Sequence, residues 1–275
     1  MERTLTPEFE IEFKLLLEAI NLKYSYDFRH YSPASLKRRV IQAMNRMGCH
    51  SVSMLQEKVL HNSESFYDLI QFITIPVSEM FRDPHYFLSL RESVIPILKT
   101  YPSLKLWVAG CSTGEEVYSL AIMLLEEDLL DRTIVYATDI NPRSLAKAEN
   151  GIFRTEDIQK YSQNYLKAGG KQSLADYYTA SSGSVKFHNA LKKNITFANH
   201  SLATDSVFSE THLISCRNVL IYFDRELQNR AFGLLQESLC RKCFLGLGSK
   251  ETIQFSQHAK YFDPFIKSDR IYQKN

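Results

Sequence analysis

The sequence predicts an all-α region at its amino-terminal end, followed by an α/β domain built around a mainly parallel sheet. Over the first 75 or so residues, apolar side chains recur at helical spacing, whereas from about Leu104 short apolar runs alternate with helical stretches. Strands that alternate with helices form βαβ units and therefore parallel sheets. The chain has 275 residues, 44% apolar and 23% charged, which is long enough for two domains, predicted at 1–75 and 76–275.

Start and stop signals outline the helices of the first domain. Thr6-Pro7 and Ser32-Pro33 each place a capping side chain directly before a proline, which favours a helix start. Ser53, with a glutamine three residues later, predicts the start of a third helix as a capping box. A fourth helix is predicted over Ser63–Ile73, with a linker near Pro76.

The second domain shows alternating strands and helices. The predicted strands are Lys105–Ala109, Thr133–Ala137, Ile195–Ala198, Leu213–Cys216 and Cys243–Leu247. The predicted helices are Glu115–Glu127, Pro142–Glu149 and Arg225–Leu239. A stretch rich in Gly, Ser and Tyr interrupts this alternation, so we expect a small inserted β sub-domain at about 169–192.

Composition argues against several classes of protein. The chain lacks an apolar run of about 18 residues and an apolar secretory signal, so we expect a cytoplasmic protein without membrane insertion. Its five cysteines are odd in number and scattered, which predicts reduced thiols. Cys240 and Cys243 form a lone CxxC pair, so no metal site is expected. The formal net charge of +2 argues against a nucleic-acid partner, because phosphate backbones select clearly basic domains.

The sharpest local feature is Trp107–Glu116, which runs from a predicted strand through a glycine loop into a predicted helix. Gly110 and Gly114 would let the backbone approach a bound small molecule, and the helix start offers free N–H donors. The alternative is a tight turn whose following glutamates merely suit a helix N-terminus. The loop residues alone leave both interpretations open.

An acidic residue, Asp139, ends the next predicted strand and favours a nucleoside ligand. At that place a carboxylate can accept hydrogen bonds from ribose hydroxyls. Its alternative role, capping the following helix, is already filled by Asn141. Because the loops are acidic and lack a cationic cradle, we expect a neutral or cationic ligand such as S-adenosylmethionine, not a pyrophosphate.

Four segments in register resemble the CheR-type chemotaxis receptor methyltransferases. They are Ser78–Asp83, Val108–Ser119, Ala137–Asn141 and Ile214–Phe223. The resemblance runs from about residue 30 to the end of the sequence. It implies a helical domain, then a Rossmann-like domain that depends on S-adenosylmethionine and carries a small β insertion. The implied reaction methylates glutamate side chains on the cytoplasmic helices of methyl-accepting chemotaxis receptors and leaves S-adenosylhomocysteine. We expect a monomer.

The resemblance assigns roles position by position. Arg82 would grip the reacting carboxylate bidentately and Tyr222 would lie close to the methyl group, as the catalytic residues. The implied cofactor-binding residues are Pro76, Ser78, Arg82, Gly110, Ser112, Gly114, Glu115, Asp139, Ile140, Ser201, Leu202, Arg217 and Asn218. At Ser201-Leu202 the family has Asn-Leu, so the leucine matches and the asparagine does not. The alternative for Arg82 is an ion pair with Asp83 or Glu79.

Positive charge is concentrated in one segment. Residues 23–50 contain six lysine and arginine residues against a single aspartate. Four of these cations, on the helix predicted to begin after Ser32, would dock an acidic receptor helix; they are Lys37, Arg38, Arg39 and Arg46. The alternative is a solvated charged face.

Methylation of receptor glutamates is the leading hypothesis, and it needs no general base because a glutamate carboxylate is ionised at neutral pH.

Two other functions are compatible with the sequence. The second hypothesis is a catalytically inactive adaptor that binds the cofactor and uses its helical domain as the working surface. The third is a nucleic-acid methyltransferase, which the low net charge disfavours.

Overall fold

The computed structural model describes residues 6–275, which form two compact units. The helical unit comprises the described residues up to Ile75 together with Tyr222–Gln228. The sheet unit comprises Pro76–Ile221 and Asn229–Asn275. The sequence prediction assigned Tyr222–Gln228 to the second domain, whereas the structure includes this segment in the helical unit. Across residues 6–275, no helix has the length and apolar character needed to cross a membrane.

The helical unit is built from amphipathic helices that bury one face. They are α1 (Pro7–Tyr24), α2 (Pro33–Met47), α3 (Val52–His61) and α4 (Ser63–Thr74). Thr6 caps α1 by accepting the Phe9 N–H at 3.3 Å, as predicted. The predicted start of α3 at Ser53 is wrong by two residues, because Ser51 caps the Met54 N–H at 3.1 Å. The Ser53 hydroxyl instead donates to the Glu12 carboxylate at 2.5 Å.

The segment Tyr222–Gln228 packs onto the start of α2. The Ser32 N–H donates to the Tyr222 carbonyl at 2.7 Å. Tyr31 and Phe223 form an antiparallel bridge, and their ring centroids lie 4.9 Å apart. These contacts bind a distant part of the sequence into the helical unit.

The sheet unit contains a seven-stranded sheet and a three-stranded sheet. The strands are β1 (Leu104–Ala109), β2 (Thr133–Asp139), β3 (Ile152–Arg154), β4 (Tyr178–Ser181), β5 (Ser184–Phe187), β6 (Ile195–Asn199), β7 (Thr211–Cys216), β8 (Leu239–Leu247), β9 (Phe262–Ile266) and β10 (Ile271–Lys274). The large sheet has the order β6-β2-β1-β7-β8-β10-β9. Its first five strands run parallel, and β10 pairs antiparallel with both neighbours. The predicted fold class, an all-α domain followed by a Rossmann-like α/β domain, is confirmed.

Helices connect and cover the strands of the large sheet. They are α5 (Pro84–Ser89), α6 (Ile95–Leu98), α7 (Glu115–Glu126), α8 (Pro142–Asn150), α9 (Ile158–Lys167) and α10 (Arg225–Glu237). A π-helical turn over Leu90–Val94 joins α5 to α6. The side chains of α7 are buried almost throughout, which places this helix in the core.

The inserted sub-domain is larger than the predicted 169–192. Its antiparallel sheet has the order β3-β5-β4, so it also recruits residues 152–154. A three-residue strand is too short to show an alternating pattern, which is why the sequence did not reveal β3. Phe153 and Phe187 meet edge to face at 5.5 Å, and both rings contact Tyr118 of α7. The small sheet therefore shares the core of the large one.

The five parallel strands bring their carboxyl ends to one edge of the large sheet. The loops that follow them are 110–114, 140–141, 200–202, 217–220 and 248–251. In open α/β sheets, ligands bind outside this edge. Most of the predicted cofactor-binding residues lie in these loops.

Candidate active site

The glycine loop after β1 is shaped by close packing within the protein. Gly110 has φ +74°, and a Cβ there would lie 2.4 Å from Val219 Cγ2 in the loop after β7. Gly114 has φ +98°, and its Cβ would lie 2.8 Å from the Cβ of Ala148 on α8. Both positions therefore require glycine on conformational and steric grounds. These constraints match the tight-turn interpretation and leave the loop free to approach a ligand as well.

Glu115, the first residue of α7, is a buried carboxylate with only 6% of its surface exposed. It accepts the Thr113 hydroxyl at 2.8 and 2.7 Å, and the nearby Ser78 side chain lowers its pKa slightly. Burial raises the pKa of Glu115, and the Thr113 hydrogen bond opposes this effect. No lysine or arginine among residues 6–275 pairs with it, so a cationic ligand group would be stabilised here.

Asp139, the last residue of β2, joins two of the loops at the edge. Its carboxylate accepts the Ser112 N–H at 2.8 Å and the Asn141 N–H at 2.9 Å. Burial raises the pKa of Asp139, whereas these backbone hydrogen bonds lower it. Asn141 caps α8 through the Arg143 and Ser144 N–H groups, so its predicted capping role is confirmed, and the ribose contact of Asp139 stays a prediction.

The Ser112 hydroxyl is buried without a hydrogen-bond partner in the described residues. Buried polar groups are normally paired, so this hydroxyl has capacity for a ligand. Together with the carboxylates of Glu115 and Asp139, it forms a polar, anionic rim without a lysine or arginine on the loop. Such a donor and acceptor set fits a nucleoside that carries hydroxyl and ammonium groups, and it does not fit a pyrophosphate.

A cleft of about 470 Å³ opens beside Glu115. Pro76, Ser78 and Glu115, three predicted cofactor-binding residues, lie together in its wall. Residues of β3, in the inserted sub-domain, and of α9 also line the cleft. Asp139 is not among the residues that line this cleft. The predicted cofactor-binding residues are therefore divided between the cleft and the carboxyl edge of the sheet.

The loops after β6 and β7 carry the remaining predicted cofactor contacts. Asn218 has φ +62°, and the loop from Asn218 to Leu220 is held by Glu251. That carboxylate accepts the N–H groups of Asn218 (2.8 Å), Val219 (2.9 Å), Leu220 (2.7 Å) and Gly248 (2.7 Å). Sequence reasoning assigned no role to Glu251; the signal was an acidic residue three positions after a glycine that follows a parallel strand.

Ser201, Leu202 and Ile140 lie at the same edge. The Ser201 N–H donates to Asp205 at 2.9 Å, and Leu202 is buried. The Ile140 carbonyl accepts the Asn199 side chain at 3.1 Å. Their predicted contacts with the cofactor remain predictions.

Arg217 requires a correction, because its guanidinium is committed to protein partners. It is 6% exposed and pairs with Glu116 at 2.9 Å and with Asp83 at 2.8 Å. It also lies 4.1 Å from the ring centroid of Tyr86. Because the carboxylates around it occupy both of its Nη atoms, we no longer expect Arg217 to bind the cofactor directly.

Arg82 lies on the segment Ser78–Asp83 and lacks the ion pairs of its alternative role. Asp83 pairs with Arg217, and Glu79 pairs with Lys160. The Arg82 guanidinium forms no hydrogen bond or ion pair with any residue in the range 6–275. It is therefore available to an external anion.

The basic helix α2 needs a second correction. Arg39 is 6% exposed, donates to the Phe72 carbonyl at 3.3 Å and lies 5.2 Å from the ring centroid of Tyr222. A buried guanidinium cannot dock a partner, so Arg39 is a structural residue of the helical unit. Lys37 pairs with Glu10 at 2.5 Å.

Of the four predicted docking cations, Arg38 and Arg46 are exposed. The predicted proximity of Tyr222 to the methyl group stays a prediction.

Within residues 6–275, no cluster of three or more His, Cys, Asp or Glu side chains could hold a metal ion.

Comparison with known proteins agrees with this geometry. Residues 11–74 match the family model described as "CheR methyltransferase, all-alpha domain", and residues 76–269 match "CheR methyltransferase, SAM binding domain". The protein Cher3 of Pseudomonas putida is 58% identical over 266 residues, which cover 97% of each chain. The chemotaxis protein methyltransferase of Listeria monocytogenes is 27% identical and covers 90% of this chain and 92% of its own. That of Escherichia coli is 28% identical and covers 82% and 75%, respectively.

Both family models match in chain order, and the second describes a domain that binds S-adenosylmethionine, the ligand that the buried carboxylates favour. The chain therefore belongs to the CheR methyltransferase family, with S-adenosylmethionine as its cofactor.

Proposed function

We propose that the protein transfers a methyl group from S-adenosylmethionine to glutamate side chains of methyl-accepting chemotaxis receptors, forming methyl esters. The observation that carries this proposal is the unpaired guanidinium of Arg82, on the segment that also contributes Ser78 to the cleft. An unpaired arginine four residues after Ser78 fits a carboxylate substrate, because the guanidinium matches its two oxygens. The names of the Listeria and Escherichia coli relatives support the chemotaxis context.

The chain's own residues would act by binding and orientation. S-adenosylmethionine would supply a methyl group bonded to a positively charged sulfur. An ionised carboxylate oxygen would bond to the methyl carbon while the carbon–sulfur bond breaks, so S-adenosylhomocysteine leaves and no proton is transferred. Glu115 and Ser78 would hold the amino-acid end of the cofactor, and Asp139 would accept its ribose hydroxyls. Arg82 would hold one face of the substrate carboxylate. Orientation of this kind is worth roughly 7–11 kcal/mol in favourable cases.

The exposed cations of α2 would dock the substrate helix. Receptor helices that carry several glutamates present negative charge, and Arg38 and Arg46 are available to complement it. Lys37 and Arg39 are occupied within the helical unit, so they would shape this surface without contacting the receptor.

Methyl incorporation from labelled S-adenosylmethionine into receptor cytoplasmic fragments tests the proposal. We expect base-labile label on glutamate in the wild type, because methyl esters hydrolyse in alkali. Arg82→Ala should lower single-turnover transfer roughly 100-fold, and Arg82→Lys should recover only part of it, since lysine cannot bind bidentately. Unchanged transfer in Arg82→Ala would remove Arg82 from the reaction.

Calorimetry with S-adenosylhomocysteine is the matched control. If Arg82 acts on the substrate carboxylate, wild type and Arg82→Ala should bind it with similar affinity, whereas a loss of affinity would assign Arg82 to cofactor binding instead. A wild-type protein that binds S-adenosylhomocysteine and labels no receptor fragment would be the inactive adaptor instead.

A further inference from the structure

The segment that carries Arg82 is held in an unfavourable backbone conformation. Phe81 has φ +50° and Asp83 has φ +54°, on either side of Arg82. Left-handed φ values are rare for bulky side chains such as phenylalanine. Such a conformation persists only where the surroundings fix it, and it is concentrated at functional sites.

Two tethers fix the first half of the segment. The Asn164 side chain on α9 donates to the Met80 carbonyl at 3.0 Å. The Phe81 N–H donates to the Ser119 hydroxyl on α7 at 2.8 Å, and both groups are buried. These bonds locate the chain immediately before Arg82.

Arg217 fixes the second half, from within the core. Its Nη2 donates to the Arg82 carbonyl at 2.9 Å and to the Asp83 carboxylate at 2.8 Å. Its Nη1 donates to Glu116 at 2.9 Å, and its guanidinium lies over the ring of Tyr86. Its Nε is buried without a partner among the described residues, so the three hydrogen bonds of its Nη atoms and the contact with the Tyr86 ring determine its position.

We propose, on the basis of the function proposed above, that Arg217 is a positioning residue for methyl transfer. Its guanidinium binds the Arg82 carbonyl and the Asp83 carboxylate, holds the segment whose left-handed residues, Phe81 and Asp83, flank Arg82, and so fixes where the Arg82 side chain leaves the chain. Arg217 would act only through Arg82 and contact neither cofactor nor substrate. A merely structural ion pair would stabilise the fold without this specific effect on transfer.

Asp83→Asn is the variant that isolates the clamp. Substitution of Arg217 itself would leave Glu116 buried without its cation and endanger folding. The Asp83 side chain is 44% exposed, so its replacement by asparagine removes the negative charge that strengthens this end of the clamp and keeps the Arg217–Glu116 pair. The matched control is Lys99→Met, which removes an ion pair with Glu127 at the opposite end of α7.

Amide hydrogen exchange gives a readout that does not depend on activity. In Asp83→Asn, exchange in the segment 78–83 should be at least ~10-fold faster than in the wild type, because the strained conformation opens more often. Lys99→Met should leave exchange in this segment unchanged. Unchanged exchange in Asp83→Asn would overturn the clamp.

A double-mutant cycle tests whether the clamp acts through Arg82. Asp83→Asn should lower kcat roughly 10-fold with little change in KM or in S-adenosylhomocysteine affinity. On an Arg82→Ala background it should cause no further loss, because the side chain to be positioned is absent.

Full additivity in the cycle would contradict positioning through Arg82 and overturn the proposal. If the wild type transfers no methyl group at all, the proposed function fails, whereas faster exchange in Asp83→Asn would still support the clamp. The two failures are therefore distinguishable.

Discussion

At the scale of single residues, the site is defined by carboxylates that are buried without cations. Glu115 and Asp139 both have a raised pKa, mainly because burial penalises the charged form. A bound ammonium group would stabilise ionised Glu115 and lower its pKa. If Glu115 binds the cofactor as proposed, proton release from its carboxyl is coupled to cofactor binding.

We predict that affinity for S-adenosylhomocysteine falls as the pH is lowered from neutrality towards 4.5, the ordinary pKa of a glutamate. The carboxyl must lose its proton to bind the ammonium group, and its pKa in the unliganded protein is raised, so acidification favours the non-binding form. Glu115→Gln should weaken binding at neutral pH and reduce the pH dependence. Calorimetry across this range measures both effects, with the exposed residue change Glu149→Gln as control. A pH-independent affinity in the wild type would refute this coupling.

Gly114 gives a second prediction at this scale. Gly114→Ala should destabilise the fold by about 2–4 kcal/mol, because alanine disfavours φ +98° and its Cβ would overlap Ala148. Gly183→Ala is the matched control, since Gly183 has φ +73° and no atom within 4 Å of the Cβ position. It should cost only about 1 kcal/mol. Denaturant unfolding compares them, and equal losses would show that packing against α8 contributes nothing.

The sequence indicated Glu115 and Asp139 because their placement after a strand follows from local pattern alone. It could not indicate the burial of Arg39 or Arg217. The sequence alone does not show whether an arginine is exposed to solvent or paired within the protein. The residues that pair with these two arginines are distant from them in sequence. Long-range pairing thus decided which predicted residues lie at the site.

At the scale of elements, the inserted sub-domain is anchored by the acidic end of α7. Glu126 accepts hydrogen bonds from the Tyr177 hydroxyl at 2.9 Å and the Lys171 N–H at 3.0 Å. Glu127 pairs with Arg91 at 3.0 Å and with Lys171 at 2.8 Å. The insertion is therefore fixed to the core by charge-assisted hydrogen bonds in addition to its aromatic contacts.

We predict that Glu127 stabilises the fold at neutral pH and loses this effect in acid. Burial alone would raise the pKa of Glu127, but hydrogen bonds from Lys171, Lys99 and Arg91 lower it to about 2. A lowered folded-state pKa stabilises the fold above the unfolded value of 4.5, and this stabilisation is lost as the pH falls towards about 2.

Glu127→Gln should therefore cost roughly 2 kcal/mol near neutral pH. The difference from the wild type should shrink between about pH 4.5 and about pH 2. Thermal unfolding over this range measures it, and a difference that does not change with pH would argue against ionised Glu127 as the cause.

The sequence predicted the elements in which the apolar pattern extends over enough residues to be recognised. The strands β1, β2 and β7 and the helices α7 and α8 were located within two residues at each end. The elements β3, β9, β10, α5 and α9 were missed. Most of them are short, and α9 buries Ile158, Tyr161 and Tyr165 among polar residues, so its apolar stripe is too sparse to stand out.

At the scale of the whole molecule, the proposed function gives the surface charge on α2 a role in substrate recognition. We predict that Arg38→Glu and Arg46→Glu each raise KM for receptor fragments roughly 10-fold at low salt, with kcat little changed. Lys14→Glu, an exposed charge reversal on α1, is the control. Steady-state methylation measures KM.

Added salt should reduce the difference in KM between the wild type and these variants, because mobile ions screen exposed charges. A wild-type KM that ignores ionic strength would count against docking through α2, and so would an equal effect of Lys14→Glu. In that case the charges of α2 would be a solvated face.

The return of Tyr222–Gln228 to the helical unit has an evolutionary corollary. Seven residues encoded far downstream complete the bridge between Tyr31 and Phe223. A single recombination crossover near Ile75 would transfer the amino-terminal helices without Tyr222–Gln228, the segment that packs against them. Viable chimaeras between relatives would need two exchanges, so the two parts of such a gene should be inherited as a linked pair.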